Sequence, residues 1–172
     1  MSRLANQLTE AVLELRAAGA RFALIGGLAL AAHKVVRGTQ DIDLLVDGDQ
    51  SDQIDALLRR LGYRSIHRSA DAANYLRGSE RVDLLYAVRP AARLLLEKTG
   101  VHATVLGDIP VISCEGLIAF KLQALVNNPS RTQDLEDMRA LLHANRAQLD
   151  MDELRGYFRL FDREALLNEL MS

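Results

Sequence analysis

The stretch from Phe22 to Val46 constrains this chain more than any other part of it. It opens on the apolar run Phe-Ala-Leu-Ile, breaks at Gly26-Gly27, continues through the Ala-rich Leu28 to Lys34 and closes on Asp41-Ile42-Asp43-Leu44-Leu45-Val46. A short apolar run ending in glycines reads as a strand and a tight turn, and the Ala-rich segment as a helix. The alternation from Asp41 reads as a second strand, with both carboxylates on one face and Ile42 and Leu44 on the other. A glycine pair at the mouth of a strand leaves backbone N–H groups uncovered, and the helix that follows adds partial positive charge, which suits a phosphate. Two adjacent carboxylates are costly unless a cation neutralises them; a hard divalent ion does so, and Mg²⁺ (or Mn²⁺) takes a couple of carboxylates together with phosphate oxygens and water. A phosphate cradle beside a metal-binding pair points to phosphoryl or nucleotidyl transfer. Alone, Gly-Gly is more often only a turn and Asp-x-Asp more often a solvated strand face. Their ordered combination on one strand–helix–strand unit, with Lys34, Arg37 and the hydroxyl of Thr39 alongside, is what marks a site.

The remaining elements build a frame around that unit. Leu4, Leu8, Val12 and Leu15 recur at helical spacing between Ser2 and Ala18, and Gly19 stops the helix. Ser51 before Ile54, Leu57, Leu58 and Leu61 predicts an N-capped amphipathic helix ended by Gly62. Three strands follow, Tyr63 to Arg68, Asn74 to Arg77 and Glu80 to Tyr86, with Gly78-Ser79 as a hairpin turn. Pro90 opens a helix to about Lys98, and the strands Ala103 to Leu106 and Ile109 to Ser113 flank a second turn at Gly107-Asp108. The rest is helical: Glu115 to Val126, a break at Asn127-Asn128-Pro129, Arg131 to about His143, and at least one helix between Asp152 and Met171. The fold class is therefore α/β (α+β), a mixed sheet in the N-terminal half with helices packed on it, and a helical C-terminal half. At 172 residues the chain is expected to close one core. We expect a single domain over 1–172, with the sheet in 19–113 and the helices in 114–172.

Composition removes several classes of function. None of the apolar runs approaches the ~20 residues that a membrane span needs, and Glu10 and Glu14 fall where a secretion signal would be apolar. With one cysteine, Cys114, neither an internal disulfide nor a cysteine-based zinc cluster can form, so a reducing cytoplasm is expected. Cys114 itself reads as a small core residue rather than a nucleophile. The four histidines, His33, His67, His102 and His143, lack ligand spacing. The net charge of −2 excludes a chain that is basic all over, but it averages opposed regions. From Thr39 to Asp55 six acids occur with no base, whereas from Ala56 to Gly100 nine basic residues face four acids.

Ile25-Gly26-Gly27 and Asp41-Ile42-Asp43-Leu44, thirteen residues apart, resemble the signature of the nucleotidyltransferase superfamily. Within it the chain looks most like the AbiEii/MenT-like toxin nucleotidyltransferases. That likeness rests on Arg37-Gly-Thr39-Gln-Asp41-Ile-Asp43 and on a distal block, Glu115-Gly-Leu-Ile-Ala-Phe-Lys121-Leu-Gln-Ala followed by Arg131-Thr-Gln-Asp134-Leu-Glu-Asp137. The resemblance implies that Gly26 and Gly27, with Arg37 and Thr39, hold the triphosphate of an NTP, and that Asp41 and Asp43 bind Mg²⁺. Many members carry a serine at the position of Gly27, a contact this chain lacks. Lys121 would reach the triphosphate as a point charge, with Asp134 orienting it or an acceptor. Asp83 would be a third carboxylate, either a metal ligand or a general base; the competing reading is a structural ion pair with Arg81.

The activity implied is Mg-dependent transfer of NMP from an NTP to an acceptor hydroxyl, as a toxin–antitoxin type toxin acting on tRNA or on a protein. A cognate antitoxin and a homo-oligomer are partners consistent with that reading. Two alternatives stand beside it: nucleotidylation of a small, antibiotic-like molecule, and a non-catalytic NTP-binding interaction module. The Arg-rich segment tilts the choice toward an anionic acceptor such as RNA.

Overall fold

The structure, a computed structural model, describes residues 2–104 and 106–172. The chain divides into two compact units, Met1–Leu28 with Gly38–Ile112, and Ala29–Arg37 with Ser113–Ser172. The first unit holds a sheet of seven strands: β1 (Phe22–Ile25), β2 (Asp41–Asp47), β3 (Arg64–Arg68), β4 (Ala72–Arg77), β5 (Glu80–Ala87), β6 (Gly100–Thr104) and β7 (Gly107–Val111), in the order β3-β4-β5-β2-β1-β7-β6. β2 runs parallel to β5 and β1 parallel to β7, while the other neighbours are antiparallel. The mixed sheet expected from the order of elements is present.

Helices α1 (Arg3–Ala17), α3 (Ser51–Arg60) and α4 (Pro90–Glu97) belong to this unit, and α2 (Gly26–Ala32) starts in it. Ser2 caps α1, its hydroxyl accepting from Ala5 N at 3.2 Å. The apolar stripes read from the sequence are the buried faces: Leu8, Val12 and Leu15 of α1, and Ile54, Leu57 and Leu58 of α3. In β2 the alternation is visible directly, since Ile42 and Leu44 are fully buried while Asp41 and Asp43 stay partly open. Tyr75 is the largest side chain buried completely in this core, and its hydroxyl donates to Asp55 Oδ1 at 2.7 Å. A buried phenol usually takes such a partner.

The second unit consists of residues 29–37 with α5 (Cys114–Asn127), α6 (Thr132–Asn145), α7 (Met151–Leu160) and α8 (Glu164–Met171). Its core is built from Leu30, Leu117, Ile118, Leu122, Met138, Leu141, Leu142, Leu154, Phe158, Leu167 and Leu170. Ser113 caps α5 and Asp150 caps α7, each side chain accepting backbone N–H groups of the first turn. Asn145 Nδ2 donates to the carbonyls of His33 and Leu141, which ties residues 29–37 to α6.

Local expectations are corrected at Ser51 and in the β6–β7 hairpin. Gly26, at φ +64°, makes the tight turn from β1 directly at the first residue of α2. Ser51 does not cap α3, because a 3₁₀ turn at Gly48–Gln50 precedes it and Asp47 Oδ1 caps that turn by accepting from Asp49 N at 3.0 Å. The β6–β7 hairpin pairs Thr104 with Gly107, so Gly107-Asp108 opens β7 instead of forming the turn. Of the strand expected over 103–106, residue 105 lies outside the described residues. The tail carries two helices, in agreement with the expectation of at least one. The Gly78-Ser79 hairpin is a two-residue loop between paired Arg77 and Glu80, with Gly78 at φ +60°.

Asp55 links the buried phenol to the charged surface. Burial would push its carboxyl up, but hydrogen bonds from Arg59 and Tyr75, with the charges of Arg59 and Arg68, outweigh it and hold the group below its ordinary value of 3.8. Asp55→Ala leaves the Tyr75 hydroxyl unpartnered and should lower the unfolding free energy by about 1–3 kcal/mol. Because the folded-state pKa is depressed, the difference from wild type should be largest at neutral pH and narrow as the pH falls below 3.8, where the charged contribution is lost and only the neutral hydrogen bond from Tyr75 is left. Urea titrations across that range check both statements.

Candidate active site

The register of β1 against β2 sets Ile25 opposite Asp43 and so brings the strand's carboxylate to the first residue after β1. Gly26 has φ +64°. A Cβ there would lie 2.2 Å from Asp43 Oδ2, so the carboxylate rests directly on the glycine. Gly27 is closed in the same way: its Cβ would come within 2.8 Å of both Cβ and Oγ1 of Thr39. Both glycines are therefore required by close approach of a side chain, and Gly26 by its left-handed backbone as well. The same crowding accounts for glycine at 27, where the resemblance gives serine in many members.

On the other side of β2 the parallel register pairs Asp41 with Arg81 and Asp43 with Asp83, and β4 pairs Asn74 with Asp83. Partners in register project from the same face of a sheet, so Asp41, Asp43, Asp83, Arg81 and Asn74 share one surface. Asp83 accepts from Arg81 Nε on both oxygens at 2.9 Å and from Asn74 Nδ2 at 2.7 Å. The ion pair weighed against a metal role for Asp83 is thus present. Arg81 is held firmly protonated, its pKa raised by Asp83 first and further by the charges of Asp41 and Asp43.

Among the described residues no three His, Cys, Asp or Glu side chains are grouped to hold a metal ion. The donor set nevertheless suits a divalent cation. Three carboxylates against one guanidinium leave two negative charges on this patch of sheet, and Asp83 is already bonded by Arg81 and Asn74. Asp41 and Asp43, side by side on β2, are the pair of carboxylates in this set that could hold such an ion.

Lys121, Asp134 and Arg37 lie in the second unit, in a network of their own. Lys121 Nζ donates to Asp134 Oδ1 at 3.1 Å and to Asp137 Oδ2 at 2.6 Å, and all three side chains are buried. Arg37 Nε stands 3.1 Å from Asp137 Oδ1, and Arg131 Nε donates to Asp134 Oδ2 at 2.5 Å. Gln133 Nε2 adds a bond to Asp137 Oδ1 at 3.1 Å. Lys121, expected to reach a triphosphate as a point charge with Asp134 orienting it or an acceptor, has both Asp134 and Asp137 as its partners.

Residues without an assigned role in the sequence reading complete both clusters. Asp137 follows Asp134 by three positions and so shares its helix face, a signal that was available. Asn74 was legible only by counting back from the Gly78-Ser79 hairpin, which opposes it to Asp83. Cys114 is buried, and burial pushes its thiol up to about 12, helped by the neighbouring charge of Glu115.

A family model described as aminoglycoside-2''-adenylyltransferase matches residues 7–86. Among solved structures, ANT(2'')-Ia in complex with adenylyl-2''-tobramycin aligns at a TM-score of 0.73 and 17% identity, over 94% of this chain and 98% of its own. The fold is that of the nucleotidyltransferases. The lincosamide antibiotic adenylyltransferase LnuA, in its lincomycin-bound form, aligns at 0.59 and 15% identity over 79% of this chain and 94% of its own. An antigenic nucleotidyltransferase-like protein from Paracoccidioides brasiliensis aligns at 0.58 and 18% identity over 99% and 93%. No curated protein matches this chain. At these identities the solved structures show the fold, and the family model spans the part of the chain that carries β1, β2 and β5. No helix among the described residues is long and apolar enough to cross a membrane.

Gly26→Ala forces a Cβ into the Asp43 carboxylate at a backbone angle that only glycine adopts cheaply. It should lower the unfolding free energy by about 1–3 kcal/mol, read by urea denaturation. A thiol with a pKa near 12 holds almost no thiolate at neutral pH. Iodoacetamide should therefore modify Cys114 slowly in the native protein and rapidly in urea, as followed by intact mass.

Proposed function

We propose that this protein transfers a nucleotidyl group from an NTP to a hydroxyl of a small, antibiotic-like molecule. The observation that carries the choice of acceptor is where the arginine-rich segment spends its charge. Six of its nine basic residues form ion pairs: Arg59 with Asp55, Arg68 with Asp52 and Asp55, Arg77 with Glu10 and Glu80, Arg81 with Asp83, Arg89 with Asp71, and Arg93 with Asp49. Three of those acids, Asp49, Asp52 and Asp55, belong to the run from Thr39 to Asp55, so the two opposed segments partly neutralise each other. A tRNA needs a surplus of positive charge to displace counterions along its backbone, and this flank supplies little. The match to an aminoglycoside adenylyltransferase model over residues 7–86 supports the same direction.

In this reading the backbone N–H groups at Gly26 and Gly27 receive phosphate oxygens, with Thr39 packed against Gly27. Asp41 and Asp43 would hold Mg²⁺, which would supply charge neutralisation at the reacting phosphate. Asp83, fixed by Arg81 and Asn74, accepts or orients the proton of the acceptor hydroxyl. The acceptor oxygen bonds to the α-phosphorus, the α–β phosphoanhydride bond breaks and pyrophosphate leaves. The residues act chiefly by position and charge.

Incubation with Mg²⁺, each labelled NTP and, separately, tobramycin, lincomycin, total tRNA and cell protein tests the acceptor class. Label is expected on a small molecule. Label on tRNA or on protein would favour the toxin-type activity, and NTP binding without transfer to any acceptor would favour a non-catalytic module. Asp41→Asn and Asp43→Asn should each cut transfer by about a hundredfold or more, the scale of losing one preorganised electrostatic group, with circular dichroism unchanged.

A further inference from the structure

We propose that Arg37 and Arg131, rather than Lys121, are the side chains of the second unit that contact an oligophosphate, and that Lys121, Asp134 and Asp137 form the buried frame that aims them. The identity of the anion rests on the nucleotidyl-transfer reading above; the geometry of the pair does not.

Lys121 is poorly placed to meet a ligand. Its side chain is 7% exposed, and those of Asp134 and Asp137 are 8% and 3% exposed. Two of its three ammonium hydrogens are committed to these carboxylates. Drawing it toward a phosphate would strand two buried carboxylates, and breaking a buried pair in that way is strongly destabilising. The frame is also fully bonded: both oxygens of Asp134 and both oxygens of Asp137 have partners in Lys121, Arg131, Arg37 and Gln133. A closed network of this kind is rigid.

The charge of the network appears at its edge. Lys121 with two aspartates carries one surplus negative charge, and the two arginines turn that into one surplus positive charge. Burying a net charge is costly, and here the surplus is carried where water reaches: the Arg37 side chain is 35% exposed and that of Arg131 53%. Each guanidinium holds its carboxylate through Nε. Because the group is a planar fork, holding Nε restricts the directions its terminal N–H donors can take. The backbone beneath Arg131 is braced too, since Ser130 donates to Asn128 Oδ1 at 2.6 Å and Arg131 N to Asn128 O at 3.1 Å. Two preoriented guanidiniums, each one carboxylate away from the same ammonium, suit an anion with several charged oxygens at close spacing. Lys121 acts through them as a positioning residue.

Calorimetric titration with inorganic tripolyphosphate, without metal or acceptor, tests this directly. Arg37→Gln and Arg131→Gln should each weaken binding by about tenfold, the usual scale of one charge-assisted contact. Arg37→Lys and Arg131→Lys should recover part of the loss, since charge returns without the fork. Lys121→Met leaves two buried carboxylates to compete for the guanidiniums, so binding and Tm should both fall. Lys121→Met combined with Asp134→Asn restores the net charge of the cluster, and both should recover. If the combined variant folds but binds no better than a lysine-contact role allows, with the arginine variants at wild-type affinity, the proposal is overturned. A wild-type protein that does not bind tripolyphosphate overturns it as well. Nucleotide transfer with an unchanged KM for NTP in the arginine variants would sink this inference while leaving the transfer reading intact. Arginine-dependent tripolyphosphate binding without any transfer would do the reverse.

Discussion

The contact between the Asp43 carboxylate and the Cα of Gly26 is the constraint on which the sheet-bearing unit turns. It exists because β1 and β2 pair with Ile25 opposite Asp43, and it requires that the residue after β1 have no side chain and accept φ +64°. A shift of one residue in that register would turn the aspartates of β2 to the opposite face of the sheet. Ile42 and Leu44, both buried, oppose such a shift, since their own burial would be lost with it. Hydrophobic burial on one face of β2 thus holds the charged chemistry on the other, and the parallel pairing with β5 extends the row to Asp83 and Arg81.

Charge is organised in both units by pairing unlike groups before offering a remainder. In the sheet-bearing unit Asp49, Asp52 and Asp55 of the acidic run pair with the arginine-rich run, while Asp41, Asp43 and Asp83 form a negative patch with one guanidinium. In the helical unit two aspartates enclose Lys121, and what is left is positive and lies on Arg37 and Arg131. Exposed ion pairs add little to stability individually. Their effect here is to cancel most of the long-range field of the flank, so that the surplus is local to each cluster.

The frame of elements was legible because periodicity reports it: the stripes of α1 and α3, the alternation in β2 and the hairpin at Gly78-Ser79 all follow from spacing. The misreadings were local, where backbone geometry competed with residue preference. Ser51 has the chemistry of a cap, yet the chain enters α3 through a 3₁₀ turn and Asp47 takes the capping role. Gly107 looks like a turn residue but its φ of +95° is accommodated at the first position of β7. The nine basic residues carry less weight as a sign of an anionic acceptor for a different reason: counting charges along the chain says nothing of which acids stand opposite them in space.

By itself the sequence determined which residue types could make a site, a glycine pair followed by alternating aspartates, because side-chain direction in a strand is set by covalent geometry. It also determined that Lys121 and Asp134 would fall on consecutive helices separated by the Pro129 break. Only the tertiary structure decided what those residues face. Strand register brought Asp83 beside Asp43 and supplied Arg81 and Asn74 as its partners, and helix packing enclosed Lys121 between Asp134 and Asp137. Register and packing are settled by the burial of apolar surface summed over whole elements, so the fate of any single charged side chain is a consequence of where its neighbours are buried.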